Sequence, residues 1–254
     1  MGNTVVLWDT DEEALNTTVL DIKKFGGVVH PFTLKEHNEE SVIATANQVK
    51  EQVKTPISIL VILSTKRKIH FDEPDVDVKH KTEEAQFPIW IINEFLPSMA
   101  QRNRGHIVEV SHLPNQPIIP RTIPYAASKY QRVGALEGIA EMLEETKSGV
   151  VCSTILTGAV KDGPCFAHKD TLLRSLFGPV THLHIIKAVV EAIYHKQQLA
   201  YVPKVHSYWA KRLLPKKAFK LLQRVLNGQS CMAETCRRWS ADEYASPRNK
   251  QTPT

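Results

Sequence analysis

Gly105–Tyr130 reads GHIVEVSHLPNQPIIPRTIPYAASKY. The stretch opens on an apolar strand at His106–Val110. It then crosses a proline-rich connection and enters a long helix, Tyr125–Glu144. Tyr125 and Lys129 stand one helical turn apart, so both side chains share a face. A phenol ordinarily titrates near pH 10 and is a poor base at neutral pH. An ammonium beside it favours the phenolate and lowers that value. The pair is therefore suited to take a proton from an alcohol or to return one to a carbonyl oxygen. Taken alone, the same spacing suits a surface helix with both tips in solvent. A strand precedes the pair, and the small residues Ala126, Ala127, Gly134, Ala135 and Gly138 follow it along the helix.

Working outward, apolar runs alternate with segments of helical periodicity. Thr4–Trp8 reads as a buried strand ending at Asp9, and Leu15, Val19 and Ile22 give Asp9–Phe25 a helical face. Asp11, Glu12 and Glu13 suit that helix's start, and Gly26-Gly27 its end. Val28–Leu34 reads as a strand, with Pro31 more natural near an edge than in a sheet centre. Asn38–Val53 is a helix on Val42, Ala46, Val49 and Val53. Ile57–Leu63 is a continuous apolar run, expected to be a strand covered on both faces. Pro88–Met99 and His184–His195 read as helices, and Val150–Leu156 and Leu199–Val202 as strands. Strands alternating with helices imply a parallel sheet with helices on both faces. In such sheets ligands sit beyond the carboxyl ends of the strands, near the switch in strand order.

The 254 residues suffice for one sizeable core, and 42% hydrophobic content is that of a globular chain. No run approaches the roughly 18 apolar residues of a membrane span, and the N-terminus lacks a secretory apolar region. Met1-Gly2 does not read as a myristoylation signal, because Val6 stands where Ser or Thr is required. Cys152, Cys165, Cys231 and Cys236 form no metal-binding spacing and are expected to be reduced, as suits a chain facing the cytosol. His182 and His184 lack a third ligand, so no metal site is expected. A net charge of +5 without a recognition motif does not argue for nucleic acid.

The segment around Tyr125 and Lys129 resembles the active-site segment of the short-chain dehydrogenase/reductase family. The likeness extends over most of the chain. VVLWDTDEEALNTTVLDIKKFGGVVHPF, FLPSMAQRNRGHIV, TGAVKDG and LPKKAFKLLQRVL are similar to the branch holding 17β-hydroxysteroid dehydrogenases 11 and 13 and the epidermal retinol dehydrogenases. The resemblance implies an α/β Rossmann-like parallel sheet over residues 1–236; beyond about Arg237 the chain turns polar, and 237–254 reads as a disordered tail. It implies an NAD(P)-dependent oxidoreductase acting on a steroid, retinoid or similar lipid alcohol or carbonyl. Tyr125 would be the acid/base. Lys129 would lower its pKa and hold the nicotinamide ribose, and Ser111 or His112 would orient the substrate. Asp9 would bind the adenosine ribose hydroxyls, favouring NAD over NADP. Read from the residues alone, Asp9 suits a helix N-cap equally well.

The chain also departs from the family. It begins at what would be the family's second strand, so the first strand and its glycine-rich phosphate turn are expected to be lacking. Ile62-Leu63-Ser64-Thr65 replaces the family's Asn-Asn-Ala-Gly. Aligned back from Tyr125, the family's serine falls on His112, with Ser111 its neighbour. The assisting asparagine falls at Glu84, or at Glu83 by a one-residue slip, and a carboxylate cannot donate as an amide does. The adenine-contacting Asp becomes Lys35.

Residues 211–226, KRLLPKKAFKLLQRVL, carry Phe219, Leu222 and Leu226 on one side and lysines and arginine elsewhere. They suit either a helix on an anionic membrane or lipid-droplet surface, or a helix packed on the core. Relatives in the branch are proteins of the endoplasmic reticulum or lipid droplets, which implies a cytoplasmic chain peripheral to one of these. The apolar stretch after Thr157, with Phe166, Leu172 and Phe177, suits a lipid substrate or plain packing. By the same resemblance, the helix bearing Tyr125 would form a homodimer contact, with Gly134 and Gly138 permitting close approach. Two functions stay open: a lipid-directed oxidoreductase, or a catalytically inactive homologue acting as a binding or scaffold protein.

Overall fold

The computed structural model describes residues 4–63, 77–112, 123–157, 160 and 180–202. Strands β1 (Thr4–Asp9) and β2 (Val28–Thr33) pair in parallel as a two-stranded sheet. Strands β3 (Ile59–Leu63), β4 (Gly105–His112), β5 (Val150–Thr157) and β6 (Leu199–Val202) form a parallel sheet in that order. Between them run α1 (Glu12–Lys24), α2 (Glu39–Gln52), α3 (Asp77–Gln101), α4 (Ile123–Glu145) and α5 (His182–His195). The expected alternation of strand and helix is present, and the fold is the α/β, Rossmann-like one.

Local signals set the element limits. The Asp11 carboxylate accepts the Ala14 amide and caps α1. At the other end, Gly26 adopts φ +74°, while Gly27 N–H donates to the Ile22 carbonyl and Gly26 N–H to that of Lys23. This is a Schellman ending, which needs a residue tolerant of left-handed backbone. Asn38 caps α2 in the same way as Asp11 caps α1. Pro31 lies in β2, the outer strand of its pair, where a missing N–H costs least.

Two layers of helix cover the sheets. On one face α2, α3 and α4 bury Val42, Ala46, Phe95, Met99, Leu136 and Leu143 against Ile62 and Ile107. Phe32 and Leu34 join this same core, and Trp8 of β1 meets Phe95 of α3 edge-on at 5.9 Å. Both sheets therefore rest on one helical layer, although they do not hydrogen-bond to each other. On the opposite face α5 covers Val108, Val110, Ile155 and Val202.

Two expectations need correction. The strand at Ile59–Leu63 is not covered on both faces: Ile59, Val61 and Leu63 are exposed, because α5 lies over β4 to β6 and stops short of β3. The sheet is also split. Among the described residues, β1 pairs only with β2 and β3 only with β4, so the break falls between β1 and β3. The tail at 237–254, the basic segment at 211–226 and the apolar stretch at 161–179 lie outside the described residues.

Candidate active site at the carboxyl ends of the strands

β4 and α4 build the site. Strand alternation puts Ile107, Glu109 and Ser111 on the face toward α4, and all three are buried. The facing side of α4 carries Lys129, Arg132, Leu136 and Leu143 at spacings of three, four and seven. Toward the amino ends of the strands this layer is apolar. Toward the carboxyl ends it is charged: Lys129 and Arg132 are each only 2% exposed, and Glu109 is 1% exposed. Charges are kept at such depth only when partnered.

Arg132 Nε donates to Glu109 Oε1 at 2.6 Å, and Nη2 lies 2.6 Å from the same oxygen. Glu109 Oε2 has no hydrogen-bond partner among the described residues, nor does Ser111 Oγ. Burial pushes the Glu109 carboxyl above its ordinary range, while the charges of Arg132 and then Lys129 hold it down. Lys129 is therefore near enough to feel Glu109. Arg132 pairs with that carboxylate. Tyr125 lies one turn before Lys129 on α4.

The structure places Lys129 and Ser111 in one buried layer at the carboxyl edge. His112 ends β4 and Tyr125 begins α4, but their side chains lie outside the described residues, as do those of Glu83 and Glu84. Asp9 ends β1 and is exposed; its Oδ1 accepts the Asp11 amide. The helix-cap alternative for Asp9 is thereby corrected, since Asp11 is the cap. Leu34 N–H donates to the Asp9 carbonyl, so Lys35 follows directly beside the end of β1. His184 closes a capping box with Thr181 rather than facing a cluster, and no group of three or more potential ligands occurs among the described residues.

Sequence reasoning missed Glu109 and Arg132. The available signal was a lone carboxylate inside an apolar strand, HIVEV, facing a helix with an arginine three residues past Lys129. The strand order supplies the remaining geometry. From β1 the chain moves outward to β2, then returns across to β3, so the order reverses at the gap between β1 and β3. Crevices for ligands form at such reversals, beyond the carboxyl ends. Asp9 lies on one side of the gap, and Ser111 and Lys129 lie on the other.

The sequence model of the family described as short chain dehydrogenase matches residues 1–170. The chain is 28% identical over 241 residues to human 17-beta-hydroxysteroid dehydrogenase 13, covering 89% of this chain and 75% of that protein. Mouse estradiol 17-beta-dehydrogenase 11 is 25% identical over 89% of this chain and 76% of its own length. Human epidermal retinol dehydrogenase 2 is 27% identical over 87% and 74%. Among solved structures, a short chain dehydrogenase/reductase from Burkholderia phymatum in complex with NAD superposes with a TM-score of 0.68. It is 19% identical, with 85% of each chain covered. A metagenomic short-chain oxidoreductase in complex with NADP gives a TM-score of 0.52 at 23% identity, over 63% of this chain and 73% of that one.

Proposed function

Because this chain belongs to the short-chain dehydrogenase family, we propose that it interconverts an alcohol and a carbonyl on a lipid substrate of steroid or retinoid type, with NAD or NADP as cofactor. The observation that carries this reading is Lys129: an ammonium buried at the carboxyl edge of the sheet, one turn after Tyr125 and in the same layer as the Ser111 hydroxyl. Tyr125 holds and moves the proton at its phenolic oxygen. Lys129 favours the phenolate by its charge. Ser111, with a buried hydroxyl that lacks a described partner, or His112 beside it, orients the substrate oxygen.

Asp9 beside the crevice and the buried Lys129 across it support a dinucleotide held at its two ends. In this reading Asp9 would bind the adenosine ribose hydroxyls, which favours NAD, and Lys129 the nicotinamide ribose. When bound, the cofactor supplies or accepts the hydride. A cradle for the pyrophosphate is not found among the described residues. We place the protein on the cytoplasmic side of the endoplasmic reticulum or lipid droplets, attached through the basic segment at 211–226. No described helix is long and apolar enough to cross a membrane. A homodimer through α4 is consistent with Gly134 and Gly138, where an added Cβ would meet nothing within 4 Å.

The test is turnover of estradiol and all-trans-retinol with NAD or NADP, read by nicotinamide absorbance. Tyr125→Phe is expected to lower kcat by roughly 10²–10⁴. Turnover unchanged in that variant would defeat the assignment. A second reading, a binding protein without catalysis, is favoured by the split sheet at the cofactor crevice. It predicts no turnover from a well-folded chain.

A further inference from the structure

We propose that Glu109 Oε2 and Ser111 Oγ hold a single internal water between them, through which Glu109 fixes the Ser111 hydroxyl at the carboxyl edge of β4. Two buried oxygens define the site. Glu109 and Ser111 are each only 1% exposed. Among the described residues, neither Glu109 Oε2 nor Ser111 Oγ has a hydrogen-bond partner. Buried polar atoms are rarely left in that state, because each has given up its hydration. Where no protein group reaches such atoms, a buried water serves them, making two to four hydrogen bonds.

The pose of Arg132 leaves one carboxylate oxygen over. An arginine fork commonly spans both oxygens of a carboxylate. Here Nε and Nη2 both lie 2.6 Å from Oε1, so Oε2 is turned to a different neighbour. Strand geometry supplies that neighbour. Glu109 and Ser111 point to the same face of β4, and two residues of strand span about 6.5–7 Å. One water bridges a long and a short side chain at that spacing with two O–H···O bonds of about 2.8 Å each. The backbone holds both ends still. β4 is paired with β3 as far as Val110 and with β5 as far as His112, and Thr157 Oγ1 donates to the Ser111 carbonyl at 3.4 Å. Paired with Arg132, Glu109 is a carboxylate, and a carboxylate only accepts, so the water donates to Oε2. Its remaining groups meet Ser111, whose hydroxyl has one hydrogen and two lone pairs. One of these is spent on the water, and the others remain for the substrate oxygen. The substrate then meets a hydroxyl already fixed in direction rather than a free rotor. Glu109 touches no substrate in this arrangement and is a positioning residue acting through Ser111. That role rests on the oxidoreductase reading, whereas the water site does not.

A high-resolution crystal structure of the full chain tests the water. A peak is expected within about 2.7–3.2 Å of both oxygens. It should be missing when Glu109→Leu and Arg132→Met are combined. No peak in the parent chain, or a direct bond between Ser111 Oγ and Glu109 Oε2, overturns the site. Turnover of estradiol or all-trans-retinol tests the positioning role, with each variant assayed at the pH of its own maximal rate and checked for fold by circular dichroism. The combined Glu109→Leu and Arg132→Met change is expected to lower kcat about tenfold with KM little changed, and to cost nothing further in a chain that already carries Ser111→Ala. Where the combined variant does not fold, Glu109→Gln takes its place in the same cycle, and its effect on kcat is likewise expected to vanish beside Ser111→Ala. An equal loss with and without Ser111 overturns the positioning role. A folded parent chain without turnover defeats the oxidoreductase reading and this role with it, and the crystal structure still decides the water.

Discussion

Lys129 shows how a single side chain distinguishes a site from a surface helix. The sequence allowed either, and its burial rules out the tip in solvent. Asp9 was only partly legible: its place at a strand end could be read, but the capping role belonged to Asp11, two residues on. His106 and Cys152 carry predictions of their own. His106 Nε2 lies 2.7 Å from Ser153 Oγ, and burial followed by the charge of Lys196 lowers its pKa below the ordinary 6.5. The neutral ring is thus favoured in the folded state, so its stabilisation is full above pH 6.5 and is lost as pH falls through the lowered value. The urea midpoint should therefore drop on acidification from about pH 7 to about pH 5, and drop less in His106→Gln. Burial pushes the Cys152 thiol up to about 11. At pH 8 roughly one molecule in a thousand then carries the thiolate, and peptide mapping after mild alkylation should find Cys152 unmodified until the chain is unfolded.

At the scale of elements, the Glu109–Arg132 pair ties β4 to α4 beneath the proposed acid/base. Removing one member leaves a buried charge unmatched. Arg132→Met should cost about 3–5 kcal/mol of unfolding free energy, whereas Glu109→Leu with Arg132→Met should come close to neutral. A denaturation series on the two single variants and the double variant checks this. The pair should also show in catalysis. Without Arg132 a positive charge that favours the phenolate is lost, so the limb of the pH–rate profile owed to Tyr125 should move to higher pH. Glu109→Gln should move it the other way. Most elements were legible because their signals are local: acidic caps, the Gly26-Gly27 ending and three-four apolar spacing. The ion pair was not, because a strand residue and a helix residue more than twenty positions apart meet only through the tertiary fold.

Over the whole molecule, the decisive feature is the split between β1–β2 and β3–β6. Among the described residues no strand lies between β1 and β3. Whether these two would close up could not be read from the sequence, since that depends on the shared core holding both sheets in place. Trp8 on Phe95 and Ile62 in the same cluster hold them to one helical layer. The apolar run at Ile59–Leu63 misled for the same reason, its composition matching a covered strand while its covering is incomplete. Hydrogen exchange should report the split directly. Amides of β4 and β5, paired on both sides, should exchange slowest, and those on the open edges of β1 and β3 markedly faster. The central claim is that the crevice at this split belongs to a nicotinamide-dependent oxidoreductase. Its most direct test is a fluorescence titration of the folded chain with NADH and, separately, NADPH, alongside Lys129→Met. Saturable binding, tighter for NADH and at least about tenfold weaker in the variant, is the expected result. A folded chain that binds neither nucleotide, or binds them equally well without Lys129, would contradict the account.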